Sequence, residues 1–441
     1  MSTELLSYVL IAVLGALIAS LLALIPALHV YNVITLAFLF AGGLQAWLQP
    51  DQFAMLLLGM VTGYAILSVI PSIYLAAPDE TSAFIVLPGQ KWLLERRGYE
   101  AAILTGAGSL CGVIVLVLLS PVLTEVARAL RIILAPHLGW ILAAISLFML
   151  MSEWPKAGDR GPTNWARFRA AWSQLSAGLL TFFLSGLLGI ILMYRNFLPV
   201  NAAFANLLPA FIGLFAIPMV LTNLIMGTRV PPQHISPSLD VSPSLLLRGT
   251  FAGSLGGLFA AFFPVVTGGI GSFLAGHATA QRDERTFIVS QGVSKLVYYA
   301  GGFLLFFLPG LNLARGGLAA MVSTIYTPGT PQMYIVAVSA LAVSGAVSFF
   351  LLIPYARFAV RFLARLDYRV VNIGTLIIIF VVLLLTTGLA GLLIAIPATA
   401  IGLIPSFFGT RRMNCLGVLL VPIILNMAGV GPDIARLLGL G

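Results

Sequence analysis

The residues best suited to bind a ligand lie beside prolines and glycines that interrupt long apolar stretches of the chain. Hydroxyls, amides and exposed backbone N–H groups can together hold a carboxylate or a phosphate in a site that lacks a full counter-charge. Seven residues share this placement: His29, Asn32, Thr81, Ser82, Thr267, Gly268 and Gly269. The same residue types also cap broken helices. The spacing therefore leaves two interpretations open for each cluster, contact with a bound anion and local helix capping.

Two adjacent carboxylate pairs occur in a chain that has only 14 acidic residues, Asp79-Glu80 and Asp283-Glu284. Such a pair can hold a proton or a metal ion, so Asp79 and Glu80 are candidates for an ion-binding site. A pair of this kind can equally lie at a helix N-terminus near the lipid headgroups and stabilise only the helix dipole. Both interpretations stay open for this pair.

No residue pattern indicates an enzyme or a resident cofactor. The chain has four histidines, His29, His137, His234 and His277. Their spacing is not typical of a metal site. An aspartate-rich DDxxD motif, a nucleophile elbow, a P-loop and a Gly-rich dinucleotide fingerprint are all missing from the sequence. We therefore expect a protein that is not an enzyme, with no resident metal and no cofactor.

The elements that must position these residues are membrane helices. Of the 441 residues, 60% are hydrophobic and only 8% are charged, whereas a soluble domain has about 25% charged residues. This composition excludes a soluble enzyme and a nucleic-acid-binding domain. The net charge of +9 comes from basic residues in short loops, as expected for cytoplasmic loops beside anionic lipids. The partners it predicts are membrane lipids and not nucleic acid.

Apolar stretches of about 20 residues, each long enough to cross a bilayer, recur along the chain. We expect an all-α, polytopic protein of the cell inner (cytoplasmic) membrane with about ten to twelve transmembrane segments. The polar stretch 152–172 separates a first membrane half, residues 1–151, from a second, residues 173–441.

Proline-containing interruptions divide several of the apolar segments. Five of them are predicted as helix breaks or re-entrant turns: Ile25–His29, Val69–Pro71, Leu87–Gly89, Phe263–Pro264 and Leu403–Pro405. Non-helical backbone at membrane depth is tolerated where protein or water satisfies it. In secondary transporters, paired broken helices direct half-helix N-termini at an anionic substrate. Single proline kinks are the alternative explanation for any one of them.

The two halves also contain similar stretches of sequence. Gly15–Leu21 (GALIASL) resembles Gly249–Leu255 (GTFAGSL), and both precede a proline. Asp79–Gly89 resembles Asp283–Gly292 if one gap is allowed. These matches predict an internal, pseudo-symmetric inverted repeat, with a substrate site at the repeat interface.

The stretch Pro78–Ala101 (PDETSAFIVLPGQKWLLERRGYEA) is the most specific sequence in the chain. It resembles the permease family of the tripartite tricarboxylate transporters, the TctA-type large membrane subunit, and is nearer to its shorter, archaeal-type branch. Three further stretches resemble the same family. They are Ile25–Asn32, Phe287–Gly301 with its Gln-Gly-Val-Ser-Lys run at 291–295, and a C-terminal block from Thr399 to Pro422.

The resemblance implies a permease for an organic anion of the carboxylate class, coupled to Na⁺ or H⁺. In this family a small membrane subunit and a periplasmic binding protein assist the permease. The Gly-Gly-Ser and Asn-Thr-Pro-Gly patterns of the bacterial tricarboxylate subunits do not occur here, so citrate-like specificity is not implied. The alternative is a carrier for a lipid-linked anion such as polyprenyl phosphate, which the arginine-rich loops leave open.

Overall fold

The computed structural model describes residues 2–26, 28, 30–39, 48–75, 81, 86–153, 161–198, 206–227, 230–281, 283–311, 313–314, 316–363 and 367–440. Every regular element in these ranges is a helix, and no strand occurs in them. In chain order the helices are α1 (Ser2–Leu22), α2 (Val30–Leu39), α3 (Pro50–Leu67), α4 (Val69–Tyr74), α5 (Val86–Leu94), α6 (Gly98–Leu134), α7 (Leu138–Met151), α8 (Asn164–Tyr194), α9 (Leu208–Phe211), α10 (Ile217–Met226), α11 (Pro243–Phe262), α12 (Gly268–Ala278), α13 (Glu284–Leu296), α14 (Gly302–Phe306), α15 (Gly316–Val322), α16 (Pro331–Leu363), α17 (Tyr368–Phe408), α18 (Gly417–Met427) and α19 (Gly431–Leu437).

The described residues contain eight helices that are long and apolar enough to cross a membrane, or nine if one strongly bent pair forms a single span. The bent pair is Arg412–Met427 with Gly431–Leu437, at an angle of 113°. Two of the eight, Gly98–Met151 with 54 residues and Tyr368–Phe408 with 41, are longer than one crossing of about 20 residues requires. The prediction of an all-helical, multi-pass membrane protein is confirmed. The described ranges hold fewer separate candidates than the ten to twelve segments expected.

The chain forms two compact units that alternate along the sequence. The first unit comprises Met1–Leu130 and Gly227–Val371, and the second comprises Arg131–Met226 and Asn372–Gly441. Packing thus divides the chain differently from the polarity pattern that set the boundaries 1–151, 152–172 and 173–441. The division into two membrane halves separated by residues 152–172 stays a prediction.

Helix α3 forms the centre of the first unit. Together with α4 it is a 25-residue span in which residues 53–74 are all buried, and α1 and α16 pack against it. Its N-terminus is defined by Pro50 at the first helical position and by Gln52, whose Oε1 accepts the N–H of Gln49 at 3.0 Å. A second layer of the same unit consists of α11, α12 and α13, which pack against one another.

Three of the predicted helix breaks occur as expected. Helix α1 ends at Leu22, before Pro26, and α2 begins at Val30. Helix α3 ends at Leu67, because Pro71 offers no N–H to the Leu67 carbonyl one turn earlier. Helix α11 ends at Phe262, before Pro264, and α12 starts five residues after Phe263.

The other two predicted breaks differ from the structure. Pro88 lies in the first turn of α5, where a missing N–H costs nothing, so it helps to begin a helix. Pro405 lies inside α17, which continues to Phe408, so the predicted break there was wrong. The non-helical residue of α17 is Gly388, with φ 63° and ψ −159°. That backbone conformation is essentially restricted to glycine.

The two matching stretches of the predicted repeat have similar surroundings. A Cβ added at Gly15 of α1 would lie 2.0 Å from the Leu56 carbonyl oxygen of α3, and one at Gly249 of α11 would lie 2.7 Å from Val289 of α13. Each helix then ends before its proline and is followed by a short helix. The similarity favours a duplication, and the repeat itself stays a prediction.

Candidate functional site

A buried lysine lies in the middle of the first unit. Lys295, near the end of α13, is 4% exposed. Its Nζ donates a hydrogen bond to Ser68 Oγ at 2.8 Å and lies 5.4 Å from the centre of the Tyr64 ring. An ionisable side chain inside a membrane domain is costly to bury, and such residues typically mark substrate or ion pathways. Lys295 is therefore the starting point for a functional site.

The break between α3 and α4 prepares Ser68 for this contact. Ser68 occupies the junction between the two helices, and its hydroxyl donates to the Tyr64 carbonyl oxygen at 2.5 Å. With its proton used in this way, the Ser68 oxygen is oriented to accept a hydrogen bond from the lysine. The proline that ends α3 thus places one of the contacts of Lys295.

The backbone changes its winding directly after Lys295. Residues Val297–Gly301 form a π-helical turn between α13 and α14. Such turns often occur at functional sites, because the extra residue alters the direction of the side chains. The turn carries Tyr299, which packs edge-on against Tyr64 with 6.2 Å between ring centres. Two tyrosines therefore lie beside the lysine.

The N-terminus of α12 is joined to the same helix, α13. Thr267 caps α12 by accepting the N–H of Ile270 at 3.5 Å, and Ser294 Oγ donates to the Gly268 carbonyl oxygen at 3.4 Å. A Cβ at Gly268 would lie 3.2 Å from Tyr298, so glycine allows this close approach. The first N–H groups of any α-helix lack an acceptor in their own helix and favour anions. In α12 the first N–H groups belong to Gly268 and Gly269. Gly268 in turn contacts Ser294, the residue before Lys295.

The structure brings together some of the residues singled out in the sequence. Thr267, Gly268 and Gly269 are buried at the N-terminus of α12, beside α13. Thr81 is buried in a turn. The remaining candidates are not described: His29, Asp79, Glu80 and Ser82 lie outside the described residues, and Asn32 lies in α2 with its side chain outside the description. The predicted roles of all these residues stay predictions.

The sequence interpretation overlooked Lys295 and Ser68 as site residues. One signal was available: Lys295 is one of only three lysines among 23 basic residues, and it stands between apolar stretches. Within the described ranges, no three His, Cys, Asp or Glu side chains lie together as a metal site would require. The ammonium group of Lys295 is itself a charged hydrogen-bond donor, which suits an anion.

A second polar assembly joins the ends of α5 and α13 in the same unit. Glu284 accepts hydrogen bonds from Lys91 Nζ at 2.6 Å and from Trp92 Nε1 at 3.1 Å. Arg97 lies over the Trp92 ring, 4.1 Å from its centre. Lys91, Trp92 and Arg97 all belong to the distinctive stretch 78–101, so part of that stretch holds α13 in place.

We expect the Glu284→Gln variant to lose stability at neutral pH but not in acid. The hydrogen bonds from Lys91 and Trp92 lower the pKa of Glu284. A lowered pKa stabilises the folded protein above the ordinary glutamate pKa of about 4.3, and this contribution is lost as the pH falls through the lower folded value. Because the pair is largely exposed, the effect is small. The melting temperatures of the variant and of the unmodified protein in detergent, measured from pH 3 to 7, give the size of this effect. A difference in melting temperature that is the same at every pH would contradict the lowered pKa of Glu284.

Comparison with known proteins adds to this geometry. The family described as tripartite tricarboxylate transporter TctA matches residues 9–417, which is nearly the whole chain. The chain belongs to the TctA family. Its members are transporter permeases, so the predicted class, a multi-pass membrane permease of the tripartite tricarboxylate type, is confirmed.

One curated relative is an uncharacterized protein of Methanocaldococcus jannaschii. It is 24% identical over 422 residues, which cover 94% of this TctA-family chain and 97% of the relative. No solved structure matches the chain. The relative is archaeal, and membership of the archaeal-type branch stays a prediction.

Proposed function

We propose that this permease is a secondary active carrier for an organic anion, and that a carboxylate of the substrate binds at Lys295. The observation that carries the proposal is the buried ammonium group between Ser68 and Tyr64. A carboxylate in a low-dielectric interior needs a positive charge and aligned donors, because an unpaired buried charge is strongly unfavourable.

The first turn of α12 supports the same assignment. Gly268 is joined to Ser294, the residue before Lys295, so a helix N-terminus and a buried cation belong to one assembly. Backbone N–H groups at a helix N-terminus add partial positive charge without the desolvation cost of a second ion. Thr267, Gly268 and Gly269 therefore keep their predicted role as substrate contacts.

The proposal extends to partners and location by family membership. We infer that the chain lies in the cell inner membrane and works with a small membrane subunit and a periplasmic binding protein. The binding protein would deliver the anion, and an ion gradient of Na⁺ or H⁺ would drive its uptake.

Binding by the purified chain, and uptake by the chain reconstituted with its small membrane subunit and binding protein, test this function. Isothermal titration calorimetry in detergent, followed by uptake into proteoliposomes with an imposed Na⁺ or H⁺ gradient, would use carboxylates, inorganic phosphate and a polyprenyl phosphate. We expect saturable binding and uptake of a carboxylate. Transport of polyprenyl phosphate with no carboxylate binding would support the lipid-linked alternative and overturn the proposal.

Neutralising the candidate coupling pair is expected to abolish gradient-driven uptake. The double variant Asp79→Asn, Glu80→Gln removes both charges and keeps side chains of similar size. If these carboxylates hold the coupling ion, equilibrium anion binding should persist while accumulation against a gradient is lost. Measuring both quantities on the same preparation checks the prediction. Accumulation equal to that of the unmodified protein would assign the pair to helix capping.

A further inference from the structure

Two buried side chains, one on α13 and one on α12, have polar atoms without hydrogen-bond partners among the described residues. Gln291 on α13 is 4% exposed, and neither its Oε1 nor its Nε2 has a partner in the described part of the chain. Ser272 on α12 is 5% exposed, and its Oγ also has none there. Buried polar groups are almost always paired, because an unpaired one loses the hydrogen bonds that water makes with it in the unfolded chain. Three such atoms in one place indicate that something else binds them.

The two side chains lie at the same level of a helical hairpin. A Cβ at Gly276 of α12 would lie 3.7 Å from Phe287 of α13. At the other end, Gly268 of α12 contacts Ser294 and Tyr298 of α13. The helices therefore run antiparallel.

Between these two contacts, Ser272 is one turn from both Gly268 and Gly276, so it shares their face of α12. Gln291 is likewise one turn from Phe287 and shares its face of α13. Because these two faces pack against each other, Ser272 lies opposite Gln291.

Gln291 is also one turn from Lys295. Residues four apart on a helix have Cβ atoms about 5–6 Å apart, so two such side chains can converge on neighbouring groups of one small molecule. Gln291 and Ser272 can therefore contact the same small molecule whose carboxylate binds Lys295.

The chemistry of these groups distinguishes between classes of substrate. An amide offers a donor and an acceptor, and a serine hydroxyl offers both as well. A hydroxyl on the ligand can donate to Gln291 Oε1 and accept from Ser272 or from Gln291 Nε2. A ketone or a second carboxylate can only accept, and would leave Oε1 unpaired.

Charge leads to the same result. Among the described residues of the first unit, Lys295 is the one buried basic side chain. A second carboxylate would bring a second negative charge to neutral groups, which is unfavourable away from water. We propose that Gln291 and Ser272 bind the hydroxyl of a small hydroxy monocarboxylate. This inference rests on the proposed function and names the substrate class of that site.

A matched series of four-carbon acids tests the substrate class. Isothermal titration calorimetry on the purified full chain would compare butanoate, 2-hydroxybutanoate, 2-oxobutanoate and 2-hydroxybutanedioate. We expect 2-hydroxybutanoate to bind about 10- to 100-fold more tightly than butanoate, because the site's buried polar groups are otherwise left unpaired. We expect 2-oxobutanoate to be intermediate and the dicarboxylate to bind no more tightly than 2-hydroxybutanoate.

Variants then assign the preference to the two side chains. Gln291→Met and Ser272→Ala should each reduce the ratio of the affinities for 2-hydroxybutanoate and butanoate by about tenfold. Ser290→Ala is the matched control, because the Ser290 hydroxyl is already paired with Gln281 and with the Phe287 carbonyl. It should keep the preference.

The outcomes separate this inference from the proposed function. Equal affinity for butanoate and 2-hydroxybutanoate would mean that the unpaired atoms bind only water, and would overturn the substrate class while the anion site stands. Tightest binding of the dicarboxylate would overturn it as well. Binding of none of the acids would overturn both proposals. If Gln291→Met does not fold, the acid series on the unmodified protein and Ser272→Ala still decide.

Discussion

The Lys295→Ala variant is expected to have an affinity for the anion and an uptake rate that are lower by about 100-fold or more. Removing one partner of a buried charge pair typically costs about 3–5 kcal/mol, because the remaining charge is left without compensation. In this site the remaining charge would be the substrate carboxylate. The dissociation constant of the best-bound carboxylate and its initial rate of uptake into proteoliposomes measure the effect.

Two further variants make this prediction specific to the buried charge. Lys295→Met keeps most of the apolar stem and removes the ammonium group, so it is less disruptive to packing and should lose binding to a similar extent. Lys91→Met is the matched control, since the Lys91 side chain is 56% exposed and pairs with Glu284 at the start of α13, far along the helix from Lys295. It should bind the anion as the unmodified protein does. Unchanged affinity in a folded Lys295→Met variant would assign Lys295 a structural role.

The sequence was most informative about breaks in the helices. Prolines within apolar stretches correctly predicted the interruptions at Pro26, Pro71 and Pro264, because a proline removes a backbone donor wherever it occurs. The prediction failed at Pro405, since a membrane helix can satisfy the freed carbonyl in other ways and continue. The sequence also did not predict the non-helical backbone of α17 at Gly388. The positive φ of that residue depends on the surrounding packing and not on a local sequence pattern.

The site itself was only partly predictable from the sequence. Thr267 and Gly268 were found because a cap and a glycine after a break have a local signature. Lys295 and Ser68 are 227 residues apart, and no local pattern indicates that they meet. Their contact depends on how α13 packs against the junction of α3 and α4, which is a property of the tertiary structure.

A single methyl group at Gly59 is expected to destabilise the first unit by about 3 kcal/mol or more. An added Cβ there would lie 1.7 Å from the Ala12 carbonyl oxygen of α1. Ala12 is completely buried and its carbonyl belongs to the helix backbone, so no side-chain rotation can relieve the overlap. Overpacking of a core usually costs about 1–3 kcal/mol, and rigid neighbours give the larger values. The Gly59→Ala variant should therefore unfold at a clearly lower temperature in detergent.

The matched control is Gly374→Ala on α17, where an added Cβ would meet no atom within 4 Å. In a helix, alanine is more favourable than glycine by up to about 1 kcal/mol. This variant should therefore be as stable as the unmodified protein or slightly more stable. Equal melting temperatures for the two variants would contradict the backbone contact between α1 and α3.

The same contact connects packing to binding. Helix α3 carries Tyr64 immediately after Gly63 and leads directly to Ser68. A Cβ at Gly63 would lie 2.6 Å from the Ala16 carbonyl oxygen, so small residues hold α3 against α1 over more than one turn. If Gly59→Ala shifts α3 without unfolding the protein, Ser68 and Tyr64 move away from Lys295. The folded fraction should then bind the carboxylate more weakly, whereas Gly374→Ala should bind it normally.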